Sequence, residues 1–293
     1  MKVLATRRFV GLAWDELDDV EIGVLDDARE NIEAIVAANE RIDDAVLARF
    51  PRLRLIANYG VGYDRIDLAA CARRGVAVTN TPGVLTAATA DLAFALILAA
   101  MRRLGEGERV VRRGEWTWTW SRGFLGDEVT GSTLGIVGLG RIGKAVARRA
   151  QGFEMRVLST HSSSTGDELD GLLREADAVT LHVPLTPATH GLIDERRLAL
   201  LRDGATLVNT ARGEIVDQDA LVRELVSGRI RAGLDVFVGE PDVPAELVAL
   251  DNVVLTPHLG SATVAAREAM TRLVVDNVLA ADRGEPLVSP VRA

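Results

Sequence analysis

The spacing of apolar residues changes along the chain, and the changes divide it into parts. In the first third, short aliphatic runs alternate with runs of helical spacing: "KVLAT", "AIVAAN", a helix opened by Asp43, "LRLIANYG", a helix from Asp67, and "VAVTNTP". Strands and helices alternating at this interval predict a parallel sheet covered by helices. After Pro82 and Gly83, "LTAATADLAFALILAAMRR" offers Thr86 or Thr89 as the cap of a long helix. Apolar residues surround nearly its whole circumference, so it should be buried, either between two lobes or against another subunit. "GEWTWTWSRGFLGDEVTG" then places Trp116, Trp118 and Trp120 at period two. One face of a short strand fits that period, but the glycines favour a loop.

From Thr133 a second series begins: "TLGIVG", a helix to Gly152, "MRVLST", a helix around "ELDGLLREA", "AVTLHVP", a helix around "ERRLALL", "ATLVNT", "QDALVRELVSG", "AGLDVF" and "VVLTPH". Six strands alternating with helices predict a doubly wound sheet of the dinucleotide-binding kind. The long amphipathic pattern "ATVAAREAMTRLVVDNVLAADRG" follows, a helix suited to crossing back to the first lobe. At 293 residues the chain can bury two cores.

Charge narrows the partners. With 42 Asp and Glu against 34 Lys and Arg, the surface is not one for nucleic acid or an anionic membrane. The first residues lack a signal-peptide pattern, and the longest apolar run, Leu92 to Met101, is about half a membrane span. One cysteine, Cys71, excludes an intrachain disulfide and fits a reducing compartment, so the cytoplasm is expected. Cys71 lies in a helical pattern and reads as packing rather than as a reactive thiol. The four histidines and this cysteine show no metal-ligand spacing, so no metal is expected.

"GIVGLGRIG" sets Gly138, Gly140 and Gly143 in a G-x-G-x-x-G pattern between a strand and a helix. Gly138 suits a tight turn, Gly140 the close approach of a pyrophosphate, and Gly143 close packing of helix on strand. The helix start adds free N–H groups and partial positive charge. An acid at the tip of the next strand, about 20 residues on, would bind the ribose 2′-hydroxyl of NAD. In "MRVLSTHSSS" that tip holds Thr160, His161 and Ser162. A missing carboxylate removes the repulsion of a 2′-phosphate, Ser162, Ser163 and Ser164 offer hydroxyls, and Arg141 offers a charge. NADP(H) is therefore favoured; NAD(H) stays open, with these residues as a passive loop.

Charged residues also stand at later strand ends: Arg212 in "VNTARGEIVD", Asp235 and Glu240 in "AGLDVFVGEP", and His258 in "VVLTPHLGSAT". Together with "NYGVGYDRID", "NTPGVLTAATADLA", "TLGIVGLGRIG" and "LHVPLTP", these segments resemble, in order, the motifs of the D-2-hydroxyacid dehydrogenases. The segment bearing the tryptophans resembles the glyoxylate and hydroxypyruvate reductase branch more loosely. The resemblance spans nearly the whole chain. It implies a two-domain α/β fold: a Rossmann-type doubly wound parallel sheet over 81–262, and a smaller flavodoxin-like α/β substrate domain over 1–80 completed by the helix of 263–293.

The implied reaction is reduction of a small 2-oxo acid by NAD(P)H. Arg212 would hold the carboxylate and carbonyl oxygens. His258 would donate the proton, with Glu240 raising its pKa. Backbone N–H groups of Val61 and Gly62 would bind the substrate carboxylate from the other lobe, in a cleft between the lobes. The resemblance also implies coenzyme contacts from Gly138, Gly140, Arg141, Ile142, Gly143, Thr160, His161, Ser162, Ser163, Val183, Pro184, Thr210, Ala211, Asp235 and Gly260. Asp235 would lie near the nicotinamide. His182 and His190 read as structural or near the coenzyme, and Trp118 and Trp120 either wall the pocket or pack a homodimer.

Two departures stand out. The chain before "NYGVGYD" is shorter than the family usually spends, which deletes a helix or a strand from that sheet. Val238 stands where the family often has an acid. The competing readings are an NAD-preferring enzyme for a longer 2-hydroxy acid and a non-catalytic protein that senses NAD(P)H.

Overall fold

Five short strands form the sheet of one unit, and six form the sheet of the other. The computed structural model describes residues 1–117 and 124–291. It divides into Met1–Leu85 with Ser261–Ala293, and Thr86–Gly260. The boundaries expected from sequence lay at 80/81 and 262/263.

In the first unit the strands are β1 (Val3–Ala5), β2 (Val20–Ile22), β3 (Ala34–Ala37), β4 (Leu55–Asn58) and β5 (Ala77–Thr79). All pair in parallel in the order β2-β1-β3-β4-β5, the flavodoxin-like order. β3 and β4 are buried at every position, so each reads as a continuous apolar run rather than an alternating one. The helices α1 (Asp44–Leu47) and α2 (Leu68–Arg73) start where expected, because the carboxylates of Asp43 and Asp67 accept from Val46 and Ala70 N–H. β2 lies at the sheet edge; its approach from β1 carries one 3-10 turn, Leu12–Glu16, and residues 23–33 carry no helix. Cys71 is 1% exposed and burial pushes its thiol up to about 11, so it packs rather than reacts.

In the second unit come α3 (Thr86–Met101), α4 (Leu104–Arg112), β6 (Thr133–Val137), α5 (Arg141–Gln151), β7 (Arg156–Thr160), α6 (Gly166–Glu175) and β8 (Ala178–Leu181). Then follow α7 (Glu195–Leu198), β9 (Thr206–Asn209), α8 (Gln218–Val226), β10 (Arg231–Leu234), α9 (Ala245–Val248) and β11 (Val253–Leu255). Their parallel order is β11-β10-β9-β8-β6-β7. Numbered within the unit this is 2-1-3-4-5-6. The six-strand order 3-2-1-4-5-6 would place one more strand beyond β7; here Ser162–Ser164 turn directly into α6 instead, behind a capping box of Thr165 and Glu168. The order reverses between β6 and β8, which opens a crevice at their C-terminal ends.

α3 packs on the sheet of its own unit, over β9, β10 and β11 and against α5. Gly233 permits that approach: a Cβ there would lie 2.8 Å from the Leu96 Cβ. The long helix α10 (Val264–Arg283), capped by the Thr263 hydroxyl, belongs to the first unit and packs on β4 and the 3-10 turn. Trp116 is exposed, while Trp118 and Trp120 fall outside the described residues.

Candidate active site

The glycine turn sits at the C-terminal end of β6, beside the reversal of strand order. Gly138 has φ +98°, and a Cβ there would lie 2.8 Å from the carbonyl carbon of His182, so only glycine takes this turn without displacing β8. Thr160 C=O accepts from the N–H groups of Gly138 and Leu139 at 3.2 and 2.8 Å, tying the turn to the end of β7. A Cβ on Gly143 would lie 2.2 Å from Gly138 O, so α5 starts hard against the turn. A Cβ on Gly140 would meet nothing within 4 Å. The backbone there faces open space, as a docking pyrophosphate requires, and the first N–H groups of α5 lie next to it. Arg141 is exposed at the first position of that helix, and Ile142 is half-buried behind it.

At the strand tip, Ser163 Oγ lies 2.9 Å from His161 Nδ1, and His161 N–H donates to Ser164 Oγ at 3.2 Å. His161, Ser162 and Ser163 are exposed, and residues 160–164 contain no acid. Val183 packs against Gly138, and Pro184 C=O accepts from the Thr189 hydroxyl at 2.6 Å. Burial holds the His182 imidazole down to about 4, and its Nε2 lies 3.0 Å from the Thr180 hydroxyl. It is a neutral wall of the turn. His190 is exposed.

Arg212, Glu240 and His258 come from three loops after β9, β10 and β11; one device shapes the first of these loops and two join them to one another. The first is Asn209, at the end of β9: its amide donates to Arg212 C=O at 2.7 Å and accepts from Ala211 N–H at 3.0 Å. The adjacent Thr210 hydroxyl is buried and has no hydrogen-bond partner among the described residues. The second is Gly213, where a Cβ would lie 2.2 Å from the Phe237 carbonyl carbon and 2.4 Å from Val238 N. Contact of backbone with backbone thus seats the Arg212 loop on the Glu240 loop. The Arg212 Nη1 donates to Ala211 C=O at 2.7 Å.

The third device is Asp235, 0% exposed at the end of β10. Its carboxylate accepts from the Thr256 hydroxyl at 2.6 Å, Leu259 N–H at 2.7 Å and Gly260 N–H at 2.9 Å. From α3, Thr89 donates to Gly260 C=O at 2.9 Å. These bonds surround His258, whose φ of +53° is a left-handed conformation uncommon outside glycine. Burial pushes the Asp235 carboxyl up, against the lowering effect of Thr256, Leu259, His258 and Gly260.

The outcome is a close histidine–carboxylate pair. His258 Nδ1 lies 2.8 Å from Glu240 Oε2, while Glu240 Oε1 accepts from Phe237 N–H at 3.0 Å. Burial alone would raise Glu240. The bond and charge of His258, the Phe237 N–H and the charge of Arg212 outweigh it, and the carboxyl sits below its ordinary range. Glu240 therefore keeps its charge to lower pH than an ordinary glutamate. With Nδ1 occupied, Nε2 is the ring nitrogen left for a substrate. Val238, exposed, donates its N–H to Gln218.

Val61 and Gly62 lie in the first unit, and their loop is built by two asparagines that the sequence reading passed over. Asn58 donates to the carbonyls of Gly60 at 3.0 Å and Gly62 at 2.8 Å, Asn80 donates to Val61 C=O at 2.8 Å, and Thr81 N–H donates to Gly60 C=O at 3.0 Å. A trans peptide points its N–H opposite to its C=O. Pinning the carbonyls of Gly60 and Val61 therefore turns the N–H groups of Val61 and Gly62 the other way, as adjacent donors.

Among the described residues no group of three or more His, Cys, Asp or Glu side chains could hold a metal ion, and no helix is long and apolar enough to cross a membrane. One prediction follows from the packing of the loops. Gly213→Ala should cost about 1–3 kcal/mol of stability and lower kcat/KM more than its loss of Tm accounts for, because the added Cβ parts the loops of Arg212 and Glu240. Wild-type melting and kinetics would show that this contact does not set the site.

Comparison with known proteins gives concordant results. The sequence model described as "D-isomer specific 2-hydroxyacid dehydrogenase, NAD binding domain" matches residues 94–260. A glyoxylate reductase of Pyrococcus horikoshii is 48% identical over 97% of this chain and 93% of its own length. A protein of Thermus thermophilus superposes with a TM-score of 0.93 at 44% identity, over the full length of both chains. An NADPH-dependent glyoxylate/hydroxypyruvate reductase of Sinorhizobium meliloti, solved with NADP and malonate, superposes with a TM-score of 0.89 at 34% identity, covering 99% of this chain and 96% of its own.

Proposed function

Because the chain belongs to the D-isomer specific 2-hydroxyacid dehydrogenase family, we propose that Arg212, Glu240 and His258 carry its chemistry, with NADPH as the favoured coenzyme and glyoxylate or hydroxypyruvate as substrate. The chain is an NAD(P)-dependent oxidoreductase that reduces small 2-oxo acids. The observation that carries the site assignment is the His258–Glu240 pair at 2.8 Å, on loops locked together through Gly213 and Asp235.

The glycine turn fits a dinucleotide, since Gly140 faces open space and Thr210 leaves a buried hydroxyl unpartnered. Gly138, Gly140, Gly143 and the start of α5, with Arg141 and Ile142, would hold the pyrophosphate; Thr160, His161, Ser162 and Ser163 would surround the ribose. Val183, Pro184, Thr210 and Ala211 would line the nicotinamide end, with Asp235 and Gly260 buried behind them as its support. When bound, the coenzyme supplies a hydride for the substrate carbonyl carbon. The protein does the rest. The Val61 and Gly62 N–H groups take the carboxylate, and the Arg212 guanidinium orients carboxylate and carbonyl together and draws charge toward the carbonyl oxygen. His258 Nε2 delivers the proton to that oxygen as it becomes an alkoxide, and the Glu240 carboxylate stabilises the imidazolium and fixes its ring.

The coenzyme preference rests on the acid-free tip at 160–164. A carboxylate 4 Å from a 2′-phosphate would cost about 4 kcal/mol per charge pair at an effective dielectric near 20, less where water screens the tip. A homodimer in the cytoplasm completes the reading. Leu104, Val111, Trp116 and Leu125 are exposed apolar residues within one stretch, area that a second copy would cover, and the lone Cys71 suits a reducing compartment.

The test is the initial rate of NADPH and NADH oxidation with glyoxylate, hydroxypyruvate and a bulkier 2-oxo acid, for the wild type and His161→Asp. The wild type should favour NADPH and the two small acids, and His161→Asp should shift the NADPH/NADH ratio of kcat/KM toward NADH by at least about tenfold. A wild type that prefers NADH makes the tip a passive loop. Coenzyme binding without turnover on any acid would move the protein to the sensing class.

A further inference from the structure

In the first unit, the segment after α10 runs back alongside β5. Val291 N–H donates to Val78 C=O at 2.8 Å, and Thr79 and Pro290 form an antiparallel bridge. Between these contacts and α10 lies Asn277, 0% exposed in the middle of the helix, with its amide fully used. Its Oδ1 accepts from Val288 and Ser289 N–H at 3.0 and 3.1 Å, and its Nδ2 donates to Leu273 C=O at 2.6 Å and to Ser289 Oγ at 2.9 Å. Ser289 Oγ, having accepted from Asn277, donates to Asn80 C=O at 2.6 Å, and Asn80 N–H donates to Ser289 C=O at 3.3 Å. The Asn80 side chain then donates to Val61 C=O. An unbroken series of hydrogen bonds thus leads from the buried face of α10 to the loop of Val61 and Gly62.

We propose that Ser289 and Asn277 are positioning residues for substrate: through Asn80 they fix the direction in which the N–H groups of Val61 and Gly62 point, and so set the affinity for the substrate carboxylate. This rests on the assignment of those N–H groups to the carboxylate. The physical basis is that a buried amide with every donor and acceptor satisfied has one low-energy placement. Removing Ser289 Oγ leaves an Asn277 N–H and the Asn80 carbonyl each short of a partner. Asn80 then loosens, and the Val61 peptide plane loosens with it. The effect falls on substrate binding, since neither residue belongs to the unit that carries the glycine turn.

The experiment is steady-state kinetics on the full chain for Asn80→Ala, Ser289→Ala and Ser289→Thr, with Tm recorded for each. Ser289→Ala should raise KM for glyoxylate about three- to tenfold, the loss expected for one net hydrogen bond, with KM for NADPH unchanged and kcat within about twofold. Ser289→Thr retains the hydroxyl and should restore KM. Asn80→Ala should raise the same KM at least as much. A raised KM in Asn80→Ala with a wild-type value in Ser289→Ala overturns the relay and leaves the loop assignment standing. Wild-type values in both overturn the loop assignment and the relay with it. A lowered Tm with unchanged KM, or a rise in KM that threonine does not reverse, makes Ser289 a merely structural residue and also overturns the proposal.

Discussion

His258→Ala is expected to lower kcat about 10²- to 10⁴-fold, the range of a positioned general acid, while NADPH binds as in the wild type. The separation follows from where the ring sits. Its Nδ1 faces Glu240 rather than the glycine turn, and the loop around it is held by Asp235 through the Thr256 hydroxyl and the N–H groups of Leu259 and Gly260. Alanine removes the proton donor but leaves all three of those bonds. Initial rates with glyoxylate, together with NADPH binding followed by fluorescence, check the prediction. Unimpaired turnover removes His258 from its role. Loss of turnover and coenzyme binding together would mean that the ring supports the loop rather than the reaction.

Arg212→Lys is expected to reduce kcat/KM for the oxo acid by roughly 10- to 150-fold, equivalent to losing about 1.5–3 kcal/mol of charge-assisted hydrogen bonding. The charge remains, so any loss reports on shape. A planar guanidinium can hold two oxygens at once, whereas an ammonium is a point charge on a flexible stem. Since the arginine is assigned both to ground-state carboxylate and to the carbonyl oxygen that gains charge in the transition state, KM should rise and kcat should fall. A rise in KM alone would confine Arg212 to binding, and wild-type kinetics would sink the clamp assignment.

Local signals carried much of the fold. Asp43 and Asp67 start their helices because a short carboxylate before an apolar periodic run reaches the N–H groups that the helix leaves unpaired. β2 was missed for an equally local reason: Val20–Ile22 is three residues long, lies at the sheet edge and follows the acidic run "DELDD", so nothing in its pattern separates it from a loop. α4 begins immediately after α3, with Arg103 in the left-handed conformation between them, a break no residue type announces.

At the site, the residues proposed to act on ligands were legible because their chemistry is distinctive. Apart from Asp235, the residues that hold them were not. Asn58, Asn80 and Asn209 are ordinary strand-end asparagines until their amides are seen to bond loop carbonyls, and Gly213 is one glycine among 27 until the Phe237 backbone is seen against it. The Phe237 contact spans more than twenty residues of sequence, beyond the reach of a periodicity argument.

The way the chain builds its first unit in two pieces bears on synthesis. Residues 86–260 are contiguous and enclose their own core, so they can fold as they leave the ribosome. Residues 1–85 emerge first but lack α10, which packs on β4, and Ser289, which bonds Asn80. At about 5–20 residues per second, the loop of Val61 and Gly62 waits on the order of ten to forty seconds after its own synthesis for the residues that fix it. The nascent chain thus completes its coenzyme unit before the loop assigned to the acid is held in place.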